Sequence, residues 1–155
     1  MKTQVALVVS IVAMMSMFAA APILAETAPT DFQVGCSDVL KENGFKGVFT
    51  KSCEPIQSAS ALSCVRSLVE SEYVRDAGIF RWVRLSRRQM RACGQVGGFA
   101  VEPIQKLIEL EGTASAEAIQ LLADISSNRD AYCVEAKLRS GRRDLAKMRL
   151  DCAQK

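Results

Sequence analysis

Cys36, Cys53, Cys64, Cys93, Cys133 and Cys152 constrain this chain more than any other feature. Their number is even, no two form a CxxC pair, and histidine is absent, so three disulfides are expected and no metal site or cofactor. Disulfides require an oxidising compartment, and the N-terminal stretch offers a route to one. Lys2 precedes an apolar run from Val5 to Ala21, with small residues at Ala19, Ala20, Ala21 and Ala25. We therefore expect a secretory signal over 1–25, cut after Ala25, because a cut after Ala21 would leave Pro22 first. The alternative is an uncleaved anchor, although the run falls short of the ~20 residues that span a bilayer. A lipidated Cys36 is disfavoured by Gln33, which stands where an aliphatic residue is needed.

Removing the leader takes away Lys2 and no acid, so the formal charge of +3 becomes +2. A balance this close to neutral does not describe a general polyanion binder, and any electrostatic partner must be sought in local clustering. The remaining residues suffice for one hydrophobic core. We expect residues 26–35 as a flexible lead-in and residues 36–155 as a single exported domain, periplasmic or extracellular, with no stable membrane span.

The apolar spacing is helical throughout, and no strand-and-turn repeat interrupts it. Ser37 is positioned to cap a short helix through Glu42, stopped by Asn43-Gly44, and Phe45 to Thr50 reads as an irregular crossing. Pro55 suits the opening of a helix carrying Leu62, Val65, Leu68 and Val69. Tyr73 to Cys93 reads as one amphipathic helix. Pro103 opens the next, stopped by Gly112, and Thr113 or Ser115 caps a helix with Ala118, Leu121, Leu122 and Ile125 on one face. The string Glu-Pro-Ile-Gln at 54–57 and 102–105 has unlike surroundings and is read as coincidence.

Ser127 to Cys152 reads as the seam around which the others pack, with Ala131, Val134, Leu138, Gly141, Leu145, Met148 and Cys152 at alternating spacings of three and four. The seam bears on disulfide pairing. A helix between Cys53 and Cys64 holds them about 13 Å apart, so they need different partners. A continuous last helix would likewise forbid Cys133–Cys152, whereas a break at Ser140-Gly141 would fold two halves into a hairpin and permit it. The bend is our preferred reading. The fold expected is an irregular, disulfide-stapled all-α bundle of five or six helices. Its core is drawn chiefly from Leu62, Val65, Val69, Val83, Ile104, Leu107, Ile108, Leu121, Leu122, Ile125, Val134, Leu138, Leu145 and Met148.

Function is less legible. Without histidine there is no Ser-His-Asp or Cys-His arrangement and no commonest general base. No GxxxxGK[ST] or GxGxxG cradle occurs. Ten Glu and seven Asp lie without a motif around any pair. Cys93 beside Arg91 would be the first suspect if one thiol were free and reactive. The positive signal is basic: Arg81, Arg84, Arg88 and Arg91 share one face of the Tyr73–Cys93 helix, and Arg75 and Arg87 enlarge the patch. Guanidinium groups match carboxylate and phosphate oxygens with paired hydrogen bonds. The partner expected is an acidic protein surface, a lipid headgroup or an acidic glycan, with nucleic acid disfavoured by export. The same pattern also suits a merely solvated face. A second basic group, Lys137, Arg139, Arg142, Arg143, Lys147 and Arg149, is interrupted by Asp144 and Asp151. The expectation is a non-enzymatic interaction protein, set against a carrier of a small apolar ligand and a histidine-free carboxylate hydrolase.

Overall fold

The computed structural model describes residues 28–45, 52–71 and 85–153. The expected leader, most of the 45–50 crossing and residues 72–84, with Arg75, Arg81, Arg84 and Val83, lie outside the described residues. Among the described residues there are seven α-helices, a 3-10 turn at Gly98–Ala100 and no strand. The helices are α1 (Asp31–Glu42), α2 (Ala59–Glu70), α3 (Arg87–Cys93), α4 (Val101–Glu111), α5 (Ala116–Ala123), α6 (Asn128–Arg139) and α7 (Leu145–Ala153). Their packing partners form a closed circuit from α2 to α4, α6, α7, α5 and α3 and back to α2, with α1 against α2 outside it. The all-α, disulfide-stapled bundle is as expected.

Three left-handed glycines set the helix ends. At Gly44 (φ 83°) the amide of Phe45 donates to Leu40 and that of Gly44 to Lys41, satisfying the orphan carbonyls of α1 in a Schellman motif. Gly141 (φ 83°) repeats the motif, with Arg142 donating to Lys137 and Gly141 to Leu138, so α6 stops there. The seam of residues 127–152 is therefore two helices, not one, and α7 folds back along α6. Gly112 (φ 75°) stops α4 as expected.

The helix starts differ more from expectation. Thr30 and Gln33 form a capping box, Gln33 N donating to Thr30 Oγ1 (3.3 Å) and Thr30 N to Gln33 Oε1 (2.8 Å). α1 thus begins at Asp31 rather than after Ser37, and the helical domain reaches back into what was expected to be lead-in. α2 begins after Ser58, whose hydroxyl accepts from Ala61 N. Pro55 lies instead in the preceding turn, where Ile56 is fully buried. The two Glu-Pro-Ile-Gln strings thus adopt different structures, a turn at 54–57 and the first turn of α4 at 102–105.

The disulfides are Cys36–Cys53, Cys64–Cys93 and Cys133–Cys152, with Cα separations of 5.9, 5.5 and 5.8 Å. They tie α1 to the turn before α2, α2 to α3, and α6 to α7. Cys53 and Cys64 have different partners, and Cys133 meets Cys152 across the bend at Gly141. No cysteine is free, which removes Cys93 as a reactive thiol.

Gly94, just beyond Cys93, shows how tightly this region closes. A Cβ there would lie 2.6 Å from the Pro55 carbonyl oxygen and 2.8 Å from Pro55 Cβ, so any side chain must push backbone apart. Gly94→Ala is expected to cost about 1–3 kcal/mol. Gly98→Ala, whose Cβ would meet nothing nearer than Ser60 Oγ at 3.9 Å, is the control expected to melt like the wild type. Equal melting temperatures for the two variants would contradict the close approach.

Candidate functional site

α3 is set by its own start. Ser86 and Gln89 form a second capping box, with Gln89 N donating to Ser86 Oγ (3.1 Å) and Ser86 N to Gln89 Oε1 (2.8 Å). Gln89 Nε2 also donates to the Ala114 carbonyl at 2.7 Å, which fixes the helix to the segment before α5. Gln89, Met90, Ala92 and Cys93 are buried, and α3 packs against α5 and α2. Arg87, Arg88 and Arg91 are left together on the exposed side.

The cap corrects the expected arginine ladder. Ser86 is extended (φ −90°, ψ 153°), so no single helix runs from Tyr73 through Cys93. Arg88 and Arg91 belong to α3, whereas Arg81 and Arg84 precede the break and lie outside the described residues with Arg75. The structure thus brings together three of the six arginines, Arg87, Arg88 and Arg91.

The two basic groups differ in how they are used. In the second, Lys137 and Arg142 both reach Asp151, Arg143 pairs with Glu111 at 3.3 Å, and Arg139 pairs with Glu135 at 3.1 Å. Arg149 Nε donates to the Leu121 carbonyl. Hydrogen bonding from Lys137, reinforced by the charges of Lys137, Lys147 and Arg142, outweighs desolvation and holds the Asp151 carboxyl below its ordinary pKa. Lys137 thus joins α6 to α7, Arg143 joins the turn between them to α4, and Arg149 joins α7 to α5. Arg87, Arg88 and Arg91 form no ion pair among the described residues. The acid that feels this face is Glu117 on α5, held below its ordinary pKa by hydrogen bonds from its own backbone and the Ser115 hydroxyl, with Arg88 adding a smaller attraction.

Two other features bear on the alternatives. A groove of about 530 Å³ lies between α2 and α4, lined by Ser67, Glu70, Ser71, Gln105, Ile108, Glu109 and Gly112. Among the described residues Ile108 is its only large apolar side chain, so this lining suits a polar occupant better than the apolar ligand of a carrier. The Ser67 and Ser71 hydroxyls already donate to Ser63 and Leu68 carbonyls. Two carboxyls also meet, Glu102 of α4 and Glu135 of α6, but neither lines the groove. Glu135 is buried, and desolvation, then the like charge of Glu102, raise its pKa against the pull of Arg139.

Among the described residues no three Cys, Asp or Glu side chains gather as a metal-ligand set, and no helix is long and apolar enough to cross a membrane. No protein-family model, curated protein or solved structure matches the chain.

Proposed function

We propose that this chain is an exported, non-enzymatic interaction protein whose α3 arginine face contacts an anionic partner. One observation carries the reading: of the second basic group, Lys137, Arg139, Arg142 and Arg143 are taken up in ion pairs within the chain, whereas Arg87, Arg88 and Arg91 stand exposed together without one among the described residues. Guanidinium groups on adjacent helical positions present planar donor forks to carboxylate, sulfate or phosphate oxygens. The Cys64–Cys93 bridge and the Gln89 anchor hold the face rigid, which lowers the ordering cost of binding. Three disulfides suit an oxidising, extracytoplasmic setting.

Charge reversal at Arg87 and Arg91 tests the proposal. These two are one helical turn apart, and neither is the arginine that acts on Glu117, so Glu replacements add no direct repulsion there. The double variant is expected to keep its helicity and melting temperature while losing most of its retention on a sulfated polysaccharide matrix, anionic phospholipid vesicles or an immobilised acidic protein. Wild-type retention should itself fall as salt rises from about 0.05 to 0.5 M, because screening shortens the reach of exposed charges. Equal retention of both proteins on every matrix at both salts would mean that the arginines are merely solvated.

A further inference from the structure

Glu135 is the buried ionisable group that the binding face does not use. Its side chain is 9% exposed, and Oε2 accepts from Arg139 NH2 at 3.1 Å. Oε1 is fully enclosed and accepts no hydrogen bond among the described residues. A buried carboxylate oxygen without a donor is costly, more so when a second carboxyl approaches it. Here that carboxyl belongs to Glu102, within hydrogen-bonding reach across the contact between α4 and α6. Two carboxylates repel, whereas a carboxyl and a carboxylate bind each other through one proton.

We propose that Glu135 keeps a proton and donates it to Glu102 across the α4–α6 contact, which is thereby a latch that acid closes and rising pH loosens. Burial and Glu102 favour the retained proton and outweigh the opposing charges of Arg139 and Lys106. From α4 come Glu102 and Lys106, the latter held by Glu109 at 2.7 Å, and from α6 comes Arg139, which occupies only Oε2. The 3-10 turn at Gly98–Ala100, also packed on α6, carries no ionisable residue. α7, the remaining neighbour of α6, directs Asp151 to Lys137 rather than to Glu135.

Proton counting sets the direction of the effect. Glu135 is raised above its ordinary value of 4.5, so between that value and the raised one the folded protein binds more protons than the unfolded chain. Stability therefore falls as pH rises through this window and stays low above it. The amide introduced by Glu135→Gln would supply the missing donor to Glu102, still accept from Arg139, and have no proton to lose.

The test compares the wild type with Glu135→Gln and Glu102→Gln across pH 4 to 9, following glutamate carboxyl carbons by NMR together with thermal melts. The expected wild-type result is one carboxyl step above the ordinary glutamate range, that of Glu135. The melting temperature of Glu135→Gln should exceed that of the wild type by a gap that is small near pH 4 and widens to ~3 °C or more above the window. Amides of α4 and α6 should exchange several-fold more slowly in Glu135→Gln than in the wild type at the same alkaline pH. Glu102→Gln, altered at the exposed partner, carries the test if Glu135→Gln does not fold: Glu135 must then titrate lower than in the wild type. An ordinary titration of Glu135, a melting gap independent of pH, or an unchanged Glu135 titration in Glu102→Gln would overturn the proposal.

Discussion

Reduction of all three disulfides is expected to unfold this domain at 25 °C. The loops they close, 36–53, 64–93 and 133–152, do not overlap, so their constraints on the unfolded chain act nearly independently. With sequence separations of 17, 29 and 19, the chain-entropy relation gives about 3 to 3.6 kcal/mol each, roughly 10 kcal/mol together. That matches the whole stability of an ordinary domain, about 5–15 kcal/mol. The described helices do not make up the difference, because none of them exceeds 12 residues and such lengths are marginal in isolation. The widest loop matters most. The double variant Cys64→Ala, Cys93→Ala should melt on the order of 10 °C below the wild type. A cooperative melt at an unchanged temperature after full reduction, read by circular dichroism, would show that the core suffices alone.

The second large effect is expected at Ile119. It is fully buried in α5, against which both α3 and α7 pack. Ile119→Ala should cost about 2–5 kcal/mol, through lost burial and the cavity left behind. Leu121, two positions on, is 43% exposed, and its carbonyl rather than its side chain receives Arg149. Leu121→Ala should therefore change stability by less than about 1 kcal/mol. Chemical denaturation of the two variants checks this directly, and the reverse order would mean that α5 is rotated.

That pair of leucine and isoleucine marks where the sequence stopped being informative. The run Ala116–Ala123 is apolar nearly all round, so spacing alone admits Leu121 as readily as Ile119. The small residues Ala116 and Ala123, buried with Ile119 and Leu122, instead form the packed side. Only neighbouring helices, α3 and α7 with a smaller contact from α4, choose between the two faces. Leu62 and Leu145 likewise came out at the edge of the core, packed against it but partly exposed. Much of the remaining core was legible: Val65, Val69, Ile104, Leu107, Ile108, Leu122, Ile125, Val134, Leu138 and Met148 are all buried.

Helix ends divided along physical lines. Stops at Gly44, Gly112 and Gly141 were readable because a left-handed φ nearly demands glycine. Starts were readable at Ser115 and Ser127, whose hydroxyls cap α5 and α6, but not at α2, where Ser58 rather than Pro55 sets the start, nor at α3, where the arginine spacing runs across Ser86. Yet the capping boxes at Thr30/Gln33 and Ser86/Gln89 were visible as S/T-x-x-Q strings and would have placed the starts of α1 and α3.

The candidate site was legible in part. Charge clustering found Arg87, Arg88 and Arg91, but it could not separate the open basic group from the one neutralised internally. That distinction depends on Asp151 and Glu111 arriving from other helices. The meeting of Glu102 with Glu135, 33 positions apart, left no local mark at all.

The central structural claim is a helical circuit locked by three local bridges, with the last stretch folded into a hairpin at Gly141. Peptide mapping without reduction tests it most directly. Trypsin alone leaves Cys53 and Cys64 on one peptide, 52–66, because no Lys or Arg separates them, so a second cut is required, which chymotrypsin can make after Leu62. The structure predicts three separate cross-linked pairs, Cys36 with Cys53, Cys64 with Cys93 and Cys133 with Cys152. Cys133 joined to any earlier cysteine would contradict it, since the α6–α7 hairpin could not then be the arrangement that the oxidised chain adopts.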